Sequence, residues 1–249
     1  MVQVSPRTSF SGSALIRLLA RLAELDVPDS RPSLVDRLSQ WLGWTDAIAL
    51  SAALNASPKT APAGTREAPM EGSGECARLR GSLAGAIAQD SAFQPARSGG
   101  RGPHARHAAS VALITDFAFY RERYLSKQQA MEVAIAASRA NLRTALATKS
   151  SELARLAAVD AVMERVLGAQ ERNLLAAVPG LLEGHFERLR RAGEETADAG
   201  EGPAPSPQAA AGPVRWLDAF RQDMQQLLMA ELDFRLQPVE GLAAALRQS

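Results

Sequence analysis

Between Pro103 and Pro179 the chain has no proline, and its apolar residues recur every three or four positions. A helix tolerates no interior proline cheaply, and this spacing puts the apolar side chains on one helical face. The first stripe is Leu113, Phe117, Tyr120, Tyr124, Met131, Ile135, Leu142 and Leu146. The second is Leu153, Leu156, Val159, Met163, Val166, Leu174 and Val178. The spacing predicts two helices, each about 50 Å long at about 1.5 Å per residue. A break is expected at Thr148–Ser151, where Ser150 or Ser151 can cap the second helix. Pro179 should kink or restart the chain, with Leu181, Leu182, Phe186 and Leu189 continuing the stripe. The pattern is that of a long-helix bundle or coiled-coil-like body, not a sustained heptad.

Composition points the same way. The chain carries 48 Ala and 31 Leu but only 5% aromatics, a mixture that favours helix over strand. No strand pair and no internal repeat stands out, so the expected fold is all-α.

Around this body the sequence predicts an N-terminal helical hairpin over 1–55. Ser11 or Ser13 caps a helix carrying Leu15, Leu18, Leu19, Leu22 and Leu25. Pro28 stops it, and Ser30 with Pro32 starts a second helix with a stripe through Leu34, Leu38, Trp41, Thr45 and Ile48. Residues 56–104 read as a flexible linker, with a short helix from about Cys76 to Gln89 weakened by Gly81 and Gly85. The bundle spans 105–192. Residues 193–212 hold four acidic and no basic residues among Gly, Pro and Ala, and read as a disordered linker. A C-terminal amphipathic helix follows within 213–249, with a pause at Gln237–Pro238 and a short final helix.

Chemistry-bearing motifs are scarce. Lys59, Lys127 and Lys149 follow Pro, Ser and Thr, so no Walker loop exists. The segment Gly72–Ala77 imitates a dinucleotide turn but lacks a preceding strand. His104 and His107 could share a metal on one helical turn, yet no carboxylate or thiolate lies near them before Asp116. The single cysteine, Cys76, excludes a disulfide framework, and no Gly-x-Ser-x-Gly elbow is present. Glu122, Glu132, Glu152 and Glu164 lack the Glu-x-x-His partnership of helical di-metal sites and read as a solvated face. The sequence therefore assigns no catalytic residue, no metal ligand and no cofactor, and the expectation is a non-enzyme. An enzyme with an unrecognised helical site stays open.

With 28 basic and 27 acidic residues, the chain lacks the excess charge of a nucleic-acid binder. The alternative rests on Arg97, Arg101 and Arg106 in a Gly-rich stretch and on Arg188, Arg190 and Arg191 at a helix end. Protein interaction or self-association is the better-supported class. Its candidate contact residues are Trp41 and Trp44 in the hairpin, and Trp216 and Phe220, which open a helix directly after the acidic linker that can dock into an apolar groove of its own chain or of a partner. No apolar stretch is long enough to cross a membrane. Arg17 and Arg21 interrupt any secretory core near the N-terminus, although the Arg-rich, acid-poor start also resembles a transit peptide. Arg outnumbers Lys by 25 to 3, as in a GC-rich bacterial protein, and a cytoplasmic location is expected.

The stretches Phe10–Leu19, Asp36-Arg37-Leu38-Ser39-Gln40-Trp41-Leu42-Gly43-Trp44-Thr45-Asp46-Ala47 and Ala230–Leu242 resemble an uncharacterised proteobacterial family of about this length, known only as a domain of unknown function. No residue role carries over from it. The resemblance implies gene neighbours of the proton-channel stator and outer-membrane-protein-A-like types, and hence an accessory part in a cell-envelope assembly.

Overall fold

A computed structural model of the chain describes residues 13–24, 40–55, 72–94, 115–198 and 212–248. Among the described residues there are α-helices and no strand, as the Ala and Leu content requires. The helices are α1 (Ala14–Leu22), α2 (Trp44–Asn55), α3 (Gly72–Ala88), α4 (Phe117–Lys149), α5 (Ser151–Leu175), α6 (Val178–Asp198) and α7 (Gly212–Arg247).

Local chemistry sets most of the boundaries. The Ser13 hydroxyl accepts from the Ile16 N–H at the start of α1, and the Asp116 carboxylate accepts from the Ala118 N–H at the start of α4. Ser150 ends α4 in an extended conformation and caps α5 by accepting from the Leu153 N–H. Pro179 sits in the first turn of α6, where its missing N–H costs nothing, so the chain restarts there rather than kinking.

α7 occupies the centre. α3, α4 and α6 pack along it, and α1 adds a shorter contact. The main core joins Phe117, Tyr120, Tyr124, Met131, Phe186, Phe220, Met224 and Leu232. The stripe predicted for α4 is buried at every described position, from Phe117 to Leu146; Leu113 lies outside the described residues. A second, smaller cluster of Ala53, Val162 and Val166 holds α2 against α5.

Several expectations change. The second hairpin helix was expected to run unbroken to Leu54. Of that span 30–39 lies outside the described residues, and the helical pair Gln40–Trp41 is separated from α2 by Leu42 and Gly43. The Gly43 carbonyl accepts from the Asp46 and Ala47 N–H groups at 3.1 and 3.0 Å, starting a new helix. The two helices of the expected hairpin also take different partners, α1 lying on α6 and α7 and α2 on α5. The short helix placed in a linker is α3, which begins at Gly72 and buries Cys76 and Ile87 in the main core. α6 continues six residues past Ala192 to Asp198, and 199–211 lies outside the described residues. Along α5 the predicted stripe divides, with Leu156 and Leu174 exposed and Val166 buried, while Ala157, Val162 and Leu175 outside that stripe are buried as well. The reason is that α5 serves two neighbours, α4 and α2, on different faces.

The expected pause at Pro238 is absent, since α7 is continuous from Gly212 to Arg247. An interior proline costs about 3 kcal/mol through the lost hydrogen bond and the clash with the preceding turn. Leu236, Val239 and Leu242 beside it are all buried. At about 1.5–3 kcal/mol each, their burial outweighs that cost.

Candidate functional site

The four aromatic residues picked from the sequence divide into two kinds. Trp216 and Phe220 are buried inside their own chain rather than offered to a partner. Phe186 meets Trp216 edge-on at 5.1 Å and Phe220 at 4.9 Å, and Tyr120 meets Phe220 at 5.3 Å. Such crossed ring pairs add about 0.5–1.5 kcal/mol beyond burial. They make α7 a docked core element, so Trp216 and Phe220 take the first of the two placements the sequence left open, a groove of their own chain.

Trp41 is half-buried against the Ala53, Val162 and Val166 cluster. Trp44, three residues on, is 82% exposed. The turn at Leu42–Gly43 produces the difference, because α2 starts at Trp44 in its own phase. Ala49, Leu50 and Ala53 then face α5, and Asp46 reaches the Arg165 guanidinium at 3.1 Å. The opposite face carries Trp44, Ala47, Ile48, Ser51, Ala52 and Asn55 around a shallow depression of about 450 Å³. Ile48 and Leu54 are more than half exposed. An all-round apolar helix is normally covered on every side. Here only the α5 side is covered among the described residues.

The sequence reading missed a buried polar cluster at the junction of α4, α5 and α7. The Glu231 carboxylate, fully buried on α7, accepts from the Tyr124 hydroxyl at 2.6 Å, the Gln128 amide at 3.0 Å and Arg235 Nε at 2.9 Å. Arg235 Nη1 also donates to Glu171 at 2.9 Å. Burial, then the neighbouring Glu231 charge, pushes the Tyr124 hydroxyl well above its ordinary value. Burial raises the Glu171 carboxyl too, opposed by Arg235. Each carboxylate meets a donor, so the cluster closes on itself and fixes the register of three helices. The available signal was phase: Glu231 and Arg235 fall on the α7 face that carries Leu228, Leu232 and Leu236.

Other charged residues also act within the chain. Glu164, expected on a solvated face, binds Arg143 across the α4–α5 seam at 2.6 Å, and Asp160 beside it binds Arg139 at 2.6 Å. Arg188 donates to the Leu22 carbonyl and pairs with Glu24, and Arg190 pairs with Glu187. His185 Nε2 lies 2.9 Å from Asp223, whose other oxygen accepts from Arg21 at 2.8 Å. Arg97, Arg101, Arg106, His104 and His107 lie outside the described residues. Among the described residues no three His, Cys, Asp or Glu side chains gather as metal ligands, and no helix is long and apolar enough to cross a membrane.

Among the described residues these features define an all-helical protein built around one central helix, with a closed polar core and an apolar face of α2 that no described helix covers. The chain belongs to the family described as protein of unknown function (DUF3348), whose model matches residues 1–248. No curated protein and no solved structure matches it.

Proposed function

We propose that the protein is a non-enzymatic scaffold or adaptor that acts through helix–helix contacts made by the outer face of α2. The observation that carries this reading is Trp44, an indole 82% exposed on a helix whose other side is packed. Tryptophan is enriched among the residues that dominate binding energy at interfaces. An exposed apolar helix face of this kind is a docking surface for another helix. A cytoplasmic setting, and an accessory part in a cell-envelope assembly, belong to the same reading. They are supported by the Arg-heavy, Ala-rich composition and by the family resemblance at both ends of the chain.

The test is a photo-crosslinking amino acid placed at position 44 in cells, compared with one at Arg172 on the exposed side of α5. Capture of defined proteins from position 44, lost when Ile48→Ser is added, is the expected result. Equal capture from both positions would sink the reading.

A further inference from the structure

We propose that α2 is a cover that lifts from α5 as one unit while the rest of the bundle stays closed. The inference goes beyond the adaptor reading, because it concerns the packed face of α2 and holds whatever the outer face meets.

Among the described residues the apolar interior falls into two clusters with no residue in common. The larger takes residues from α1, α3, α4, α5, α6 and α7. The smaller joins α2, with Trp41 and Leu42 just before it, to α5 alone, and sets Ala49, Leu50 and Ala53 against Val159, Val162 and Val166. Lifting α2 therefore takes no residue out of the larger cluster. Burial of apolar surface is what docks these helices, so two separate clusters mean two separate closing equilibria.

The smaller contact is also the weaker. Ala53 is the one buried residue of α2, at 8% exposure, against 0% for Phe220, Met224, Leu227 and Leu228 of α7. The ion pair of Asp46 with Arg165 leaves the arginine side chain 58% exposed, a setting in which such pairs add little.

α5 keeps its place without α2. Its Leu153 and Ala157 pack in the larger cluster, and its Asp160 and Glu164 hold Arg139 and Arg143 of α4, each at 2.6 Å. The break therefore falls between α2 and α5, not between α5 and α4. Once lifted, a twelve-residue helix is too short to keep its own hydrogen bonds in water. Opening thus bares the α2 amides together with the Val159, Val162 and Val166 strip.

Hydrogen exchange of the full chain under native conditions, followed by mass spectrometry, tests this. The α2 amides are expected to exchange at least about 100-fold faster than the slowest in α4 and α7, yet slower than an unstructured chain. Low urea should change the α2 rates little, because lifting one helix exposes little surface. Tyr124→Phe weakens the larger cluster alone, so it should speed the slow α4 and α7 amides about five-fold and leave α2 unchanged. Val162→Ala should speed the α2 amides about ten-fold. If α2 exchanges as slowly as α4 and α7, and speeds up with them in Tyr124→Phe, it opens only with the whole bundle and the proposal is overturned. Wild-type α2 amides exchanging at the unstructured rate overturn it as well, since no closed cover then exists. Crosslinking from position 44 reads the opposite face of α2, which keeps failure of the adaptor reading distinct from failure of this one.

Discussion

Gly193 on α6 lies against the Trp216 indole on α7, and a Cβ built on Gly193 would sit 2.5 Å from Cδ1. That gap is closer than two carbons tolerate, so the α6–α7 crossing depends on the absence of a side chain there.

Gly193→Ala should therefore destabilise the chain. Helix propensity favours Ala by about 1 kcal/mol. Against it, forcing the indole aside in a packed core costs about 1–3 kcal/mol. The clash is expected to win or at best break even, so the midpoint of urea unfolding falls or stays level. Trp216→Ala in the Gly193 background should cost about 3–5 kcal/mol. A clear rise in midpoint for Gly193→Ala would show that the ring has room to move.

Glu231→Ala should be among the most damaging single changes, at about 3–5 kcal/mol, because it leaves Arg235 buried beside Tyr124 and Gln128 without their shared acceptor. Tyr124→Phe removes one donor and keeps the carboxylate bound by two others, so about 1 kcal/mol is expected. Chemical unfolding of both variants measures the ratio. Equal losses would mean that the cluster does not act as one unit.

Glu171 supplies a pH dependence. Its carboxyl is raised above 4.5 in the folded chain, chiefly by burial. The folded state then binds more protons than the unfolded one just above that pH, so stability falls as pH rises through the window. Glu171→Gln removes this slope. Measured by urea midpoints from pH 4 to pH 7, wild type should lose ground to the variant as pH increases. Parallel curves would refute the assignment.

Pro238→Ala should stabilise the chain. It restores an N–H within α7 and relieves the ring clash, a term of about 3 kcal/mol, against about 0.4–1 kcal/mol of added unfolded-state entropy. A higher thermal midpoint is expected, and a lower one would show that α7 depends on the proline's own packing.

Much of this architecture was legible in the order of residues. The α4 stripe from Phe117 to Leu146 is buried as spaced, because a helix facing one core shows its period plainly. α5 was less legible, since two neighbours divide its apolar residues between two faces. Trp44 could be named as a contact residue, but its exposure follows from the turn at Gly43, two residues that interrupt an otherwise helical pattern. The polar cluster was hidden for a different reason. Glu231 and Arg235, four apart on a helix, look like an ordinary surface pair, and only their phase with Leu228, Leu232 and Leu236 hints at the depth that reverses that meaning.

The central position of α7 has a consequence for how the molecule is made. Every helix from α1 to α6 precedes it in the chain, yet α1, α3, α4 and α6 all bury apolar residues against it. During synthesis, at about 5–20 residues per second, those faces leave the ribosome before their common partner does. The α4–α5 pair can close early through its own seam, but the remaining apolar surface must wait, shielded by collapse or by a chaperone. Completion of the main core thus depends on α7, which the chain makes after the helices that pack on it.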